Sequence, residues 1–241
     1  MVGAVFAVIF FIWYPDPYFR IAGTANVVRI LIGVDLVIGP LMTLILFKSG
    51  KPGLIFDLSL IAIVQIAALV YGTNVIFQER PYFVVFAVDR FVVVPKKDID
   101  FDLIPSDELK DKPWRAPIFV FANLPATDEE RYWLFEEVMM GKPDIDRRPE
   151  YWSSYAEKAD QVIARADAFS EFRPKSAVDR EKIEQARQRH ANADQLVYLP
   201  IIANELVYSV LLDPETKQPV DFIDVNPWEQ SSAGTHVPQT G

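Results

Sequence analysis

Cysteine is absent from this 241-residue chain, and histidine occurs twice, at His190 and His236. The first absence excludes a disulfide scaffold, thiolate metal sites and cysteine nucleophiles, and it leaves the redox compartment open. His190 falls on a polar stretch and His236 close to the C-terminus, so neither belongs to a His-rich metal site or a Ser-His-Asp arrangement. Basic residues are also scarce: 24 Lys and Arg face 33 Asp and Glu, for a net charge of −9 and an isoelectric point near 4.8. Nucleic acid drops out as a partner, because neutralising phosphates needs a surplus of bases. A phosphate-binding glycine loop, HExxH and GxSxG are missing too. The sequence therefore nominates no catalytic, cofactor-binding or metal-binding residue.

Charge of either sign is scarcest in the first third. Residues 1–79 hold four bases (Arg20, Arg29, Lys48, Lys51) and four acids (Asp16, Asp35, Asp57, Glu79), which leaves the whole net charge to the other 162 residues. That partition reconciles a membrane-like 51% of hydrophobic residues with a soluble-like 24% of charged ones. Three apolar runs cover 2–13, 27–47 and 54–77. A bilayer core of ~30 Å needs about 20 helical residues, which the second and third runs supply. The first run is shorter, lacks the basic lead and cleavage site of a signal peptide, and ends in Trp13-Tyr14 like an interfacial belt; it reads as a span begun upstream. Three N-terminal transmembrane helices are expected in a domain over 1–79. The linker Lys48-Ser49-Gly50-Lys51-Pro52-Gly53 carries two bases and no acid, which puts it in the cytoplasm and everything after residue 77 outside, in a bacterium the periplasm. The alternative is a buried apolar hairpin of a soluble protein.

Residues 80–228 read as an α+β domain with a mainly antiparallel sheet. Strands are expected at 82–88 and 91–94, as two strands or one bent strand around Asp89-Arg90, and at 117–122, 196–202, 205–212 and 220–225, from β-branched and aromatic runs bounded by turn residues. Thr127-Asp128-Glu129-Glu130 is a capping box that opens a helix through Met140, and further helices are expected at 151–172 and 178–190. Residues 229–241 lack apolar periodicity and are expected to be a disordered tail.

Asp35, Asp57 and Gln65 lie within the expected spans. A charge at mid-bilayer costs at least ~2.5 kcal/mol, which makes such residues functional candidates. Two intramembrane aspartates raise the idea of an aspartyl protease, whose carboxylates share a proton. Depth argues against it: measured from the cytoplasmic turn, Asp35 lies at roughly 18 Å, Asp57 at roughly 5 Å and Gln65 at roughly 17 Å. Asp35 is thus matched with Gln65, and Asp57 with Lys48 and Lys51. Asp35, Gly39 and Thr43 share one helical face, and Asp57, Ile61, Gln65, Ala68 and Gly72 another. These groups either hold the hairpin together or leave Asp35 available to a partner helix in the bilayer. The carboxylates at 128–130 and 136–137 read as a helix start and a solvated face. Trp114, Trp133, Trp152 and Trp228 read as core or interface anchors, with Trp228 in Asn226-Pro227-Trp228 either a docking residue or a core plug.

Read in order, several short blocks resemble the type IV pilin accessory proteins of the TfpX/TfpZ family. They are Trp13-Tyr14-Pro15, Val34-Asp35-Leu36-Val37-Ile38-Gly39-Pro40-Leu41, Phe56-Asp57-Leu58, Gln65, Ala68-Leu69, Tyr71-Gly72, Arg80-Pro81 and Phe86 with Val88-Asp89-Arg90-Phe91. Pro149 with Tyr151 and Tyr155, Leu199-Pro200 and Asn226-Pro227-Trp228 complete the series, which runs from about residue 10 to 228. Members of that family begin with a basic lead-in and a full first span, whereas this chain starts inside the span. The resemblance implies a multi-pass inner-membrane protein without enzymatic activity or cofactor, which binds type IV pilin and assists its stability or assembly like a chaperone. An enzyme acting on pilin, by proteolysis or glycan transfer, is the alternative. A transmembrane sensor lacks any recognisable output module.

Overall fold

The computed structural model describes residues 7–21, 33, 41, 44, 54–110, 116–204 and 206–229. The chain forms two units, Met1–Arg80 and Pro81–Gly241. In the first, helix α1 (Leu54–Gln78) runs 25 residues without a proline. Its stretch from Ser59 to Gln78 carries no acid or base. Residues 7–13 are helical but widen into a π turn at Ile9–Trp13, closed by the Tyr14 N–H donating to the Ile9 carbonyl. Pro15 and Pro17 stop the helix there, since proline lacks an N–H and disfavours helix in the residue before it. The segment folds onto the end of α1: the buried Tyr14 hydroxyl donates to the Ile76 carbonyl at 2.9 Å, and the Trp13 ring meets Phe77 edge-on at 4.9 Å. Tyr14 is thereby a packed core residue together with Ile9 and Ile76.

The expectation of three spans is corrected here. Among the described residues one helix, α1, is long and apolar enough to cross a membrane. Of the first run, residues 7–13 are described, and their helix ends before Pro15; the second, 27–47, lies outside the described residues apart from Gly33, Leu41 and Leu44.

The second unit is built on one eight-stranded sheet: β1 (Pro81–Ala87), β2 (Arg90–Pro95), β3 (Ile118–Ala122), β4 (Trp152–Ser154), β5 (Asp167–Ala168), β6 (Val197–Ala203), β7 (Leu206–Leu212) and β8 (Pro219–Ile223). The spatial order is β4-β3-β1-β2-β6-β7-β8, with β5 added alongside β6. β1 is buried at every position. Phe83 and Val85 join a core with Val92, Val94, Val120 and Trp152. On the opposite face, Phe86 contacts Phe91 and Phe121, and Phe91 and Phe119 reach Tyr155 on the covering helix α3 (Tyr155–Ile163). A second centre gathers Phe169, Phe172, Ile183, Tyr198 and Leu211, in which the Phe172 and Tyr198 rings stack at 4.2 Å. Helix α2 (Asp128–Met139) precedes α3, and α4 (Ala177–Arg189) follows it.

The sheet is mixed, not mainly antiparallel. β1 runs parallel to β3, and β2 parallel to β6, while the β1–β2, β3–β4, β5–β6, β6–β7 and β7–β8 pairs are antiparallel. β3 lies on the far side of β1 from β2, which a run of hydrophobicity in sequence does not reveal. The single helix expected over 151–172 is divided. Trp152 and Ser153 pair with β3, α3 ends at Ile163, and Phe169 and Phe172 turn into the core. At the far edge, Pro219 brings no N–H to β8, and the Phe222 N–H donates to the Asp221 carboxylate at 2.8 Å.

The β1–β2 connection stores strain. The Asp89 N–H donates to the Ala87 carbonyl at 2.8 Å, closing a three-residue turn on Val88, whose φ of 60° is rare for a β-branched residue. Val88→Gly removes the Cβ clash at the cost of a more flexible unfolded chain. It is expected to raise the denaturant midpoint of the full-length protein, by up to about 1 kcal/mol in stability.

Candidate functional site

Of the candidates named by the sequence, Asp35 lies outside the described residues, and Asp57 sits in the first turns of α1. Gln65 is half-buried on α1, and the shielded stripe it belongs to runs Ile61, Gln65, Leu69, Thr73 and Ile76. Leu69 is buried in place of the anticipated Ala68, which is exposed.

Trp228 is held at the surface by its neighbours. The Asn226 carboxamide oxygen accepts from the Trp228 N–H at 3.0 Å, and its Nδ2 donates to Glu229 at 3.1 Å. The same segment is tied to the sheet by Ser209, whose hydroxyl donates to the Val225 carbonyl at 2.8 Å. The Trp228 indole, 48% exposed, has the Arg90 guanidinium 5.2 Å from its ring centroid. Arg90 in turn donates to Asp89 at 2.8 Å, and Arg165 donates to the Val88 carbonyl. An exposed indole beside the Arg90 guanidinium can hold an aromatic ring by stacking and a carboxylate by hydrogen bonds. Trp228 is exposed rather than plugged into a core. Sequence reading missed the arginine beside it, because Arg90 lies 138 positions away and only the fold unites the two.

The titratable groups elsewhere serve the fold. His190 Nε2 lies 2.9 Å from Asp221, which also receives Arg189 at 3.1 Å, so this cluster fastens the end of α4 to β8. His236 lies outside the described residues. No group of three His, Asp or Glu side chains among the described residues is placed to hold a metal ion. Asp146 is the buried carboxylate, 7% exposed, and burial raises its pKa, against the pull of Arg147 at 2.8 Å. Arg147 also reaches Asp98 at 3.5 Å, and these residues form a structural knot rather than a cleft.

The chain so described is an α+β domain on a mixed sheet, joined to a long apolar helix. It is similar to the fimbrial assembly protein of serogroup I from Dichelobacter nodosus, 32% identical over 212 residues, which is 85% of this chain and 82% of the relative. It is similar also to the serogroup E1 protein of the same organism, 30% identical over 217 residues, 87% of this chain and 84% of the relative. The protein of serogroups C1 and C2 matches 99 residues at 40% identity, covering 40% of this chain and 76% of the relative. The chain belongs to the family of these fimbrial assembly proteins. No family model matches it, and no solved structure is similar to it.

Asp146 gives a test of the structural reading. A raised folded pKa means that stability from the protonated carboxyl is fully present below the unfolded pKa and is lost as pH rises through the folded one. At about pH 7 the buried carboxylate therefore opposes folding. Asp146→Asn is expected to unfold at higher denaturant than the parent there, with the difference shrinking as the pH falls toward about 4. Paired denaturation curves at the two pH values measure it.

Proposed function

We propose that this protein is a non-enzymatic accessory component of type IV pilus assembly that binds the pilin. In this reading α1 fixes it in the bacterial inner membrane, with the Pro81–Gly241 unit on the periplasmic side. The observation that carries the proposal is the kinship with fimbrial assembly proteins over more than four-fifths of both chains.

Three features support it. α1 exposes Ile63, Val64, Val70 and Tyr71 along a stretch free of charge, a surface that needs lipid or another apolar helix to cover it. Lys48 and Lys51 precede the helix and assign its start to the cytoplasmic side, so the chain leaves α1 on the other side. Ala67, Ala68 and Gly72 are small enough to let a second helix approach closely, and Gln65 offers it a hydrogen-bonding group. A pilin waiting in the membrane presents such an apolar helix, while its globular head would meet the sheet domain. The Trp228–Arg90 surface is the part of that domain best equipped for contact.

Cells lacking the protein are expected to show fewer surface pili while pilin keeps its length and mass, and crosslinking in membranes is expected to join the protein to pilin. Undiminished piliation overturns the reading. Pilin that is cleaved or glycosylated only when the protein is present points instead to an enzyme. For topology, a reporter fused after Asn226 is expected to be active only in a periplasmic form, and one inserted at Gly50 only in a cytoplasmic form. The reverse pattern removes the proposed orientation and the pilin-head contact with it.

A further inference from the structure

Helix α2 is amphipathic the wrong way round. Thr127 and Glu130 cap it reciprocally, at 3.2 and 3.3 Å, and Leu134 and Val138, one turn apart, are what it sets against the core. Its apolar bulk faces outward. Tyr132, Phe135 and Met139 lie at i, i+3 and i+7 on one stripe, and Trp133 and Met140, also seven apart, widen it. These five side chains are between 56% and 79% exposed. A helix gains stability by burying such residues, and contiguous exposed aromatics mark interaction surfaces. Aromatic anchors beside flexible methionines are also the composition of adaptable binding faces.

The charge around the patch says what covers it. Asp128, Glu129 and Glu130 open the helix, and Glu136 sits within the stripe, where it accepts the Tyr132 hydroxyl at 2.6 Å. The nearby bases are engaged elsewhere: Arg131 binds Asp128 and the Pro125 carbonyl, and Lys142 and Arg148 both bind Glu137. Among the described residues no Lys or Arg pairs with Glu129, Glu130 or Glu136. The patch is therefore apolar with an uncompensated acidic border. A second copy docked face to face would set these acids against themselves. An anionic membrane surface would repel them.

We infer that the outward face of α2 is a docking surface for an amphipathic helix of a partner protein, one whose apolar stripe is bordered by Lys or Arg. The apolar stripe supplies affinity and the basic border supplies orientation and selectivity. This surface follows from α2 itself and stands whether or not the partner belongs to a pilus.

The test uses the full-length protein in lipid nanodiscs and two helical peptides of about 18 residues, one of Leu and Lys, the other of Leu and Glu in the same pattern. The Leu/Lys peptide is expected to bind and to shield Met139 and Met140 from oxidation to sulfoxide. The Leu/Glu peptide is expected to bind at least about tenfold more weakly. The double variant Trp133→Ala, Phe135→Ala and the single variant Glu136→Lys alter exposed positions, so their melting is expected to match the parent's. Each is expected to weaken the Leu/Lys peptide about tenfold or more. Equal binding of the two peptides, or Leu/Lys binding that survives the double variant or leaves both methionines oxidisable, overturns the inference. Shielding without peptide that grows with protein concentration points to self-association, and shielding by added phosphatidylcholine vesicles points to a lipid surface; either also overturns it.

Discussion

Phe83 and Phe86 point to opposite faces of β1, and neither touches water. A strand apolar on both sides needs strands along both edges and cover over both faces, because its backbone N–H and C=O groups must be paired and its side chains removed from solvent. The rest of the domain follows from that demand. β2 takes one edge by the shortest route, a tight turn, and the crossover brings β3 to the other edge. α3 and its Tyr155 cover one face, while Trp152 and the short helices after β2 close the other. The strain at Val88 is the local cost of turning the chain so abruptly beside the strand that matters most. Arg90 follows directly after that turn, so the same bend that closes the hairpin brings its guanidinium to Trp228.

Much of this was legible in the sequence. The six longer strands declare themselves by composition, and the capping box at Thr127 and the termination at Gly141 (φ 88°) locate α2 almost to the residue. What escaped were features decided by distant partners. β4 and β5 have three and two residues, too few to show a period, and exist because β3 and β6 offer them an edge. Parallel pairing depends on where a crossover lands rather than on the strands themselves. The candidate surfaces divide in the same way. Trp228 could be singled out by its own setting, but Arg90 beside it could not. On α2 the stripe of Tyr132, Phe135 and Met139 went unread, and periodicity would report only that a stripe exists and not which way it faces.

The two units ask different things of their surroundings. In the first, a long apolar helix keeps many apolar side chains outward, and Tyr14 reaches the Ile76 carbonyl near its end. In the second, apolar residues are inside almost everywhere, so an outward aromatic stripe on α2 stands out against a domain that otherwise buries its hydrophobes well. The family kinship spans both units, and the proposed role uses both: a helix for the bilayer and a domain with side-chain surfaces for proteins.

The rims of the sheet carry a last consequence. β4 offers three residues, and β8 has a proline and an N–H already engaged by the adjacent Asp221. A free rim is a template on which any extended chain can add itself, through backbone groups that are the same in every protein. With both rims blunted, this domain is poorly able to recruit or be recruited by generic strand addition. In the proposed role beside pilin, that is insulation: the domain would meet polymerising subunits through chosen side chains and not by strand addition.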